Sequence, residues 1–92
     1  MHLLDEAKEI PSGSRSNDYG RIFENHQRIA ALWSVILEQP ITPEQVALCM
    51  IGFKLARLIH NPSHYDSLVD AAGYTNCLNE IRLARLATGA AG

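Results

Sequence analysis

The spacing of apolar side chains along the chain predicts helices. From about residue 21 to residue 38, apolar residues recur every three to four positions, which is the period of an α-helix with one apolar side. Residues 43–60 form the most apolar segment, and a last helix is predicted at residues 64–87. A shorter helical pattern covers residues 3–9. The fold class predicted is all-α, a small bundle of three to four helices.

Proline, glycine and small polar residues mark the ends of these segments. Residues 10–20 are rich in such residues, which predicts a polar loop. Thr42 stands before Pro43, and Gln45 follows the threonine by three positions; this arrangement predicts a capping box at the start of a helix. Residues 88–92 read as a flexible tail, and residues 1–92 together fit a single helical domain.

The segment at residues 43–60 carries apolar residues all the way around the predicted helix. Such a helix is expected to be buried on most sides, either at the centre of the bundle or in a subunit interface. A chain of 92 residues buries only about 60% of its unfolded surface, so its core is small. We therefore predict a homo-oligomer.

The amino-acid composition of the chain limits the kinds of binding partner that can be expected. The formal net charge is −2, which argues against extended nucleic-acid binding and against an anionic membrane surface. No apolar run reaches the length of a membrane-spanning helix, and the first residues do not have the pattern of a signal peptide. Neither of the two cysteines belongs to a CxxC pair. These features predict a cytoplasmic protein without a membrane partner.

Two cations and two carboxylates provide the candidate chemistry. Lys54 and Arg57 share one helical face, and Asp66 and Asp70 share a face of the next helix. A short turn between the helices favours an antiparallel hairpin, which would bring the four side chains together. In one interpretation Arg57 pairs with an aspartate and Lys54 extends to solvent. In the other, the carboxylates hold Mg²⁺ and the cations bind phosphate oxygens.

Three further residues, Arg15, Tyr19 and Tyr74, extend the second interpretation. The complete predicted ligand-binding set is Arg15, Tyr19, Lys54, Arg57, Asp66, Asp70 and Tyr74, with Asp66 and Asp70 as metal ligands. The sequence contains no GxSxG, no Walker loop and no GxGxxG, so no catalytic residue is assigned. No cofactor is predicted apart from the Mg²⁺ of this interpretation.

Four motifs, taken in their order along the chain, resemble those of a known family. They are Gly13 to Gly20, Arg28-Ile29-Ala30 with Trp33, Lys54 to Leu58, and Asp66-Ser67 with Asp70 and Gly73-Tyr74. From about residue 4 to residue 82 the chain resembles a family of small phage-encoded all-helical proteins of unknown function. The resemblance implies a phage or prophage origin, with the host cell cytoplasm as the location.

The Lys-xx-Arg helix followed by the two aspartates is more distantly similar to the MazG-like and nucleotide-modification-associated all-α domains. That similarity implies Mg²⁺ on acidic helices and cleavage of nucleoside triphosphates. The chain does not carry the complete acidic set of those enzymes, so an activity as an enzyme is the less favoured expectation.

Three hypotheses about function follow. The first is a phage accessory protein that binds a nucleotide or another phosphorylated small molecule. The second is a helical interaction module that binds and inhibits a host protein. The third is a Mg²⁺-dependent nucleotide pyrophosphohydrolase that uses Asp66, Asp70 and Glu24.

Overall fold

The computed structural model describes residues 15–89, with side chains described from Gly20 onward, and this part of the chain folds into three helices without a strand. The helices are α1 (Arg15–Leu37), α2 (Pro43–His60) and α3 (Tyr65–Ala87). The predicted all-α class is therefore confirmed. The helix predicted at residues 3–9 lies outside the described residues.

The first helix begins earlier than its apolar pattern predicts. It starts at Arg15 rather than near residue 21, so residues 15–20 of the predicted polar loop are helical. At the other end of the chain, Thr88 and Gly89 form a turn after α3, and residues 90–92 of the predicted tail lie outside the described residues. Gly89 has φ of 74°, a left-handed conformation that glycine adopts without strain at a helix end.

The capping box at the start of α2 is confirmed. The Thr42 hydroxyl accepts the N–H of Gln45 at 3.1 Å, and the Gln45 side chain accepts the N–H of Thr42 at 2.9 Å. Pro43 occupies the first helical position, where its missing N–H costs no helical hydrogen bond. These contacts satisfy backbone donors that a helix start otherwise leaves open.

The core of the described residues is small and rich in alanine. Helix α3 packs against both α1 and α2. The buried apolar side chains are Ala30, Val46, Ala47, Ile81 and Ala84. Small side chains allow helices to approach closely, so Ile81 and Val46 fill the space between backbones that alanines bring together. His26 is also buried, and its Nδ1 lies 2.9 Å from the carbonyl oxygen of Ile22.

Within the described residues of the single chain, α2 is not buried on most sides, and its expected place in a subunit interface stays a prediction. Its buried residues are Val46 and Ala47, whereas Leu48, Leu55 and Ile59 are exposed by half or more. Two neighbouring helices cover only part of the circumference of a third, and in this fold nothing within the described residues covers the rest. No helix of the described residues is long and apolar enough to cross a membrane.

Candidate functional site

The turn between α2 and α3 organises the first candidate site. Asn61 ends α2, and its side-chain oxygen lies 3.3 Å from the N–H of Ser63 and 3.1 Å from the Ser63 hydroxyl. Because those contacts occupy Ser63, the cap of α3 is His64, whose Nδ1 accepts the N–H of Ser67 at 3.3 Å. The Ser67 hydroxyl lies 2.6 Å from the same nitrogen.

These hydrogen bonds set the tautomer of the His64 ring. Since Nδ1 accepts from Ser67, the neutral ring carries its proton on Nε2 and can donate from that side. Ser67 is buried, with 1% of its surface exposed, so the ring is attached to a fixed part of the fold. His64 is therefore a donor held in one orientation.

A concave surface of about 430 Å³ lies at this end of the helical hairpin, and we call it the hairpin-end cavity. It is lined by Phe53, Ala56, Arg57, His60, Asn61 and His64. The Arg57 side chain is exposed and forms no ion pair with any described residue. The cavity thus gathers one guanidinium, two imidazoles and an aromatic ring.

The predicted meeting of cations and carboxylates occurs, but with a different pair. Lys54 Nζ lies 3.1 Å from a carboxylate oxygen of Asp70, and the lysine side chain is only 18% exposed. The predicted partnership of Arg57 with an aspartate and the extension of Lys54 to solvent are both wrong. Lys54 projects toward α3, whereas Arg57 lies on an exposed side of α2 and closer to the turn.

The remaining predicted residues do not form one site with Arg57. Asp70 and Tyr74 line a separate shallow cavity of about 260 Å³ together with Cys77. Asp66 is exposed in the first turn of α3. Arg15 and Tyr19 belong to the first turns of α1, and their side chains lie outside the described part.

The metal interpretation has no cluster to support it in residues 15–89. Within that range no group of three or more His, Cys, Asp and Glu side chains could hold a metal ion. The sequence does contain one spacing relevant to metal binding, Glu6 and Glu9, which form an ExxE pattern in the part of the chain that the structure does not describe. Asp66 and Asp70 as metal ligands remain a prediction.

A third cavity lies at the other end of the hairpin, near the start of α2 and the end of α3. It measures about 470 Å³ and is lined by Glu44, Thr75, Leu78, Asn79, Arg82, Arg85 and Leu86. Arg85 forms a two-pronged ion pair with Glu44, with Nη2 at 2.9 Å from Oε1 and Nε on Oε2, and its guanidinium lies 5.0 Å from the Phe23 ring centre. The hydrogen bond from Arg85 lowers the pKa of Glu44 and raises the pKa of Arg85.

The Glu44–Arg85 ion pair was not predicted, because its partners are 41 residues apart. The available signal was position, since Glu44 lies in the first turn of α2 and Arg85 in the last turn of α3. Charges at those places suit the helix dipoles, and an antiparallel pair of helices brings them together.

The two cysteines have different surroundings. Cys49 is exposed on α2, and Cys77 is half-buried on α3. Burial, and then the charge of Glu80, raise the pKa of the Cys77 thiol. A raised pKa keeps a thiol protonated and weakens it as a nucleophile, so the environment of Cys77 does not suit cysteine catalysis.

The Glu44–Arg85 pair leads to a prediction about stability in acid. A lowered pKa in the folded state means that ionised Glu44 stabilises the fold above its ordinary pKa of 4.5, and that this contribution disappears as the pH falls through the lower, folded-state value. We expect Glu44→Gln to lose about 1 kcal/mol at pH 7, as for a solvated ion pair. Urea unfolding from pH 7 to pH 3 should show the two proteins converging only below pH 4.5. A difference that persists unchanged at pH 3 would contradict this role.

A known family and two known phage proteins match most of the chain. Its three-helix fold and cation-lined cavity define a small all-helical domain, and the family described as Domain of unknown function (DUF6378) matches residues 2–82. The chain belongs to that family. It is 45% identical over 84 residues to the Gene 55 protein of Mycobacterium phage L5, an alignment that covers 90% of this chain and 54% of the phage L5 protein.

A second relative, also a Gene 55 protein of a Mycobacterium phage, matches a similar share of the chain. The chain is 40% identical over 79 residues to the Gene 55 protein of Mycobacterium phage D29, which covers 86% of this chain and 52% of that protein. The chain therefore spans about half the length of the curated relatives it matches. No solved structure matches the chain. These findings show a phage protein of unknown function, and they do not show the expected similarity to MazG-like domains.

Proposed function

We propose that this phage protein binds a phosphorylated small molecule in the hairpin-end cavity, and that a mononucleotide is the ligand class the cavity fits best. The observation that carries the proposal is Arg57, a guanidinium without an ion-pair partner among the described residues in a cavity that also holds His60 and His64. A planar guanidinium can donate two parallel hydrogen bonds to a phosphate.

The two histidines add donors beside that guanidinium. His64 presents Nε2–H because Ser67 holds its Nδ1, and His60 lies in the last turn of α2. Neutral or protonated, an imidazole N–H can donate to a phosphate oxygen. Arg57, His60 and His64 would therefore bind the phosphoryl group without a metal ion.

Phe53, one turn before Arg57 on the same helix, gives the cavity a surface that suits a planar ring. Phe53 is 54% exposed and lines the cavity, and Lys54 Nζ lies 5.2 Å from the centre of its ring. Stacking of a base on an exposed aromatic ring is a common mode of nucleotide binding. The volume of about 430 Å³ is in the range of small-molecule sites, which run from about 300 to 1,000 Å³.

The proposal gives the other predicted residues different roles. In this proposal Asp70 binds Lys54 and not a metal ion, and the ion pair keeps the Lys54 ammonium beside the Phe53 ring. Arg15, Tyr19 and Asp66 remain predicted ligand contacts, and Tyr74 belongs to the separate shallow cavity. The host cell cytoplasm, where free nucleotides are abundant, is the proposed location.

The replacement Arg57→Ala tests the proposal. Loss of a charge-assisted contact to phosphate is expected to weaken binding about 10- to 100-fold. The measurement is a thermal-shift titration with nucleoside monophosphates and inorganic phosphate. The wild-type midpoint should rise by several degrees with excess ligand, as mass action requires for a ligand of the native state.

The matched control is Arg28→Ala, which removes another exposed arginine, on α1 and outside the hairpin-end cavity. It should keep the full ligand-dependent shift. The proposal fails if no nucleotide or phosphate stabilises the wild type, or if both arginine variants reduce the shift equally.

The second candidate function is a helical module that binds and inhibits a host protein. One observation favours it, the exposure of large apolar side chains on α1 and α2, among them Val35 at 77% and Ile59 at 84%.

For the third hypothesis, the Mg²⁺-dependent pyrophosphohydrolase, the described residues offer no acidic cluster, and pyrophosphate release that stops in EDTA would be its evidence. Self-association, predicted from the apolar pattern of α2, also remains a proposal.

A further inference from the structure

The cavity near the end of α3 takes most of its lining from one side of that helix. Six of its seven lining residues belong to α3 and the seventh, Glu44, belongs to α2, and we call it the α3 cavity. With about 470 Å³ it is larger than the hairpin-end cavity and has the size of a small-molecule site. Its surface is mainly apolar, with Leu78 and Leu86 as the large apolar side chains. A molecule that fills it should therefore be mainly apolar as well.

Arg82 brings a positive charge to this apolar surface. Its Nε and Nη2 donate to Oδ1 of Asn79 at 3.1 and 2.9 Å, and it forms no ion pair with any described residue. An amide oxygen is neutral, so it fixes the plane of the guanidinium without neutralising the charge. Asn79 occupies one edge of the guanidinium. The other edge, with N–H groups on Nη1 and Nη2, can donate two parallel hydrogen bonds to a carboxylate.

The other two charged residues of the lining bind each other. Arg85 donates to both carboxylate oxygens of Glu44, and the ring centre of Phe23 lies 5.0 Å from its guanidinium. This ion pair adds no net charge to the cavity. The lining therefore carries one net positive charge, on Arg82.

We propose that the α3 cavity binds a small monocarboxylate with an apolar tail, such as a medium-chain fatty acid. Arg82 binds the carboxylate through its open edge. Leu78 lies one turn before Arg82 and Leu86 one turn after it, so a carboxylate on Arg82 places the tail against one of the two leucines. One positive charge matches one carboxylate, whereas a phosphate dianion would bring an unmatched charge to an apolar surface.

This inference is independent of the ligand proposed for the hairpin-end cavity, because the two cavities share no lining residue. They also differ in chemistry. The hairpin-end cavity surrounds its guanidinium with imidazoles and an aromatic ring, whereas the α3 cavity surrounds its guanidinium mainly with aliphatic side chains.

Amide chemical shifts of the full chain during a titration with sodium octanoate test the inference. We expect the changes in shift to centre on residues 75–86 and Glu44. The expected dissociation constant is on the order of 1 mM for a ligand of about ten non-hydrogen atoms. Octanol has the same tail without the carboxylate and should bind at least about 10-fold more weakly. Hexanoate should also bind more weakly, by about two- to fourfold for each methylene removed.

Two variants of the charged end of the cavity make the test specific. Arg82→Gln removes the charge and should weaken octanoate binding at least about 10-fold while leaving octanol binding unchanged. Asn79→Asp keeps the shape of the side chain but gives Arg82 a carboxylate partner, which should weaken octanoate binding as well. Both positions are exposed, so both variants should keep the helical content of the wild type in circular dichroism.

The matched control is Arg28→Gln, the same change at an exposed arginine of α1 outside this cavity, and it should bind octanoate as the wild type does. The inference is overturned if about 20 mM octanoate changes no shift, or if octanol binds as tightly as octanoate. It is also overturned if the changes centre on residues 53–64 instead, or if Arg82→Gln and Arg28→Gln bind octanoate equally.

Discussion

Replacing Ile81 by alanine is expected to cost about 2–4 kcal/mol of the free energy of unfolding, because the change leaves a cavity that the surrounding helices fill only in part. Ile81 is fully buried, and it is one of only two large apolar side chains in the core of the described residues. Domains of this size are commonly stable by about 5–15 kcal/mol, so the loss would be a large share of the total.

Urea unfolding followed by circular dichroism measures this effect. The matched control is Leu86→Ala on the same helix, where 62% of the surface is exposed and the expected change is within about 0.5 kcal/mol. A loss for Ile81→Ala no greater than that for Leu86→Ala would show that Ile81 does not lie in the core.

The replacement Ala47→Leu is expected to destabilise the fold by about 1–3 kcal/mol through overpacking. Ala47 is fully buried, and two of the other four core side chains, Ala30 and Ala84, are also alanines. Helices that pack on alanines leave no space for three more carbon atoms, so the added side chain must push the helices apart.

The control for this prediction is Ala72→Leu, the same change at an exposed position of α3. Because leucine and alanine have similar helix propensities, this variant should melt near the wild-type temperature. We expect a thermal melt of Ala47→Leu to be lower by several degrees. Equal melting temperatures for the two variants would contradict the close packing of the helices at Ala47.

Local signals in the sequence predict the helices well. Thr42, Pro43 and Gln45 mark the start of α2 because a cap depends on contacts between residues three positions apart. Helix α1 starts before its apolar period does, because residues 15–20 are polar and contain no apolar period that would mark them as helical. The cap of α3 is His64 although serine is the commoner cap residue, and the contact of Asn61 with Ser63 cannot be predicted from residue type alone.

Contacts between helices were predicted only in part. The hairpin was expected to bring cations to carboxylates, and it does, but the rotation of α2 decides that Lys54 and not Arg57 meets Asp70. The same rotation leaves Leu48, Leu55 and Ile59 exposed. The sequence does not predict which side is exposed, because apolar residues occur all around this helix. His60 and His64 were not predicted as ligand contacts, because Pro62 lies between them and the sequence alone does not show that the turn brings both to one cavity.

These differences change the interpretation of the candidate site. With Asp70 paired to Lys54, the lining of the hairpin-end cavity carries the guanidinium of Arg57 and no carboxylate, which favours an anion over a metal ion. The seven predicted residues therefore do not form one site. Arg57 lines the hairpin-end cavity, and Asp70 and Tyr74 line the shallow cavity. Lys54 pairs with Asp70, Asp66 lies in the first turn of α3, and Arg15 and Tyr19 lie at the start of α1.

Amide chemical shifts recorded during a titration with a nucleoside monophosphate would show whether a phosphorylated small molecule binds at the hairpin-end cavity. We expect the changes in shift to cluster between Phe53 and Ser67 and to disappear in Arg57→Ala. Shifts that cluster around Glu44 and Arg85 instead, or the absence of any shift at millimolar nucleotide, would contradict this expectation.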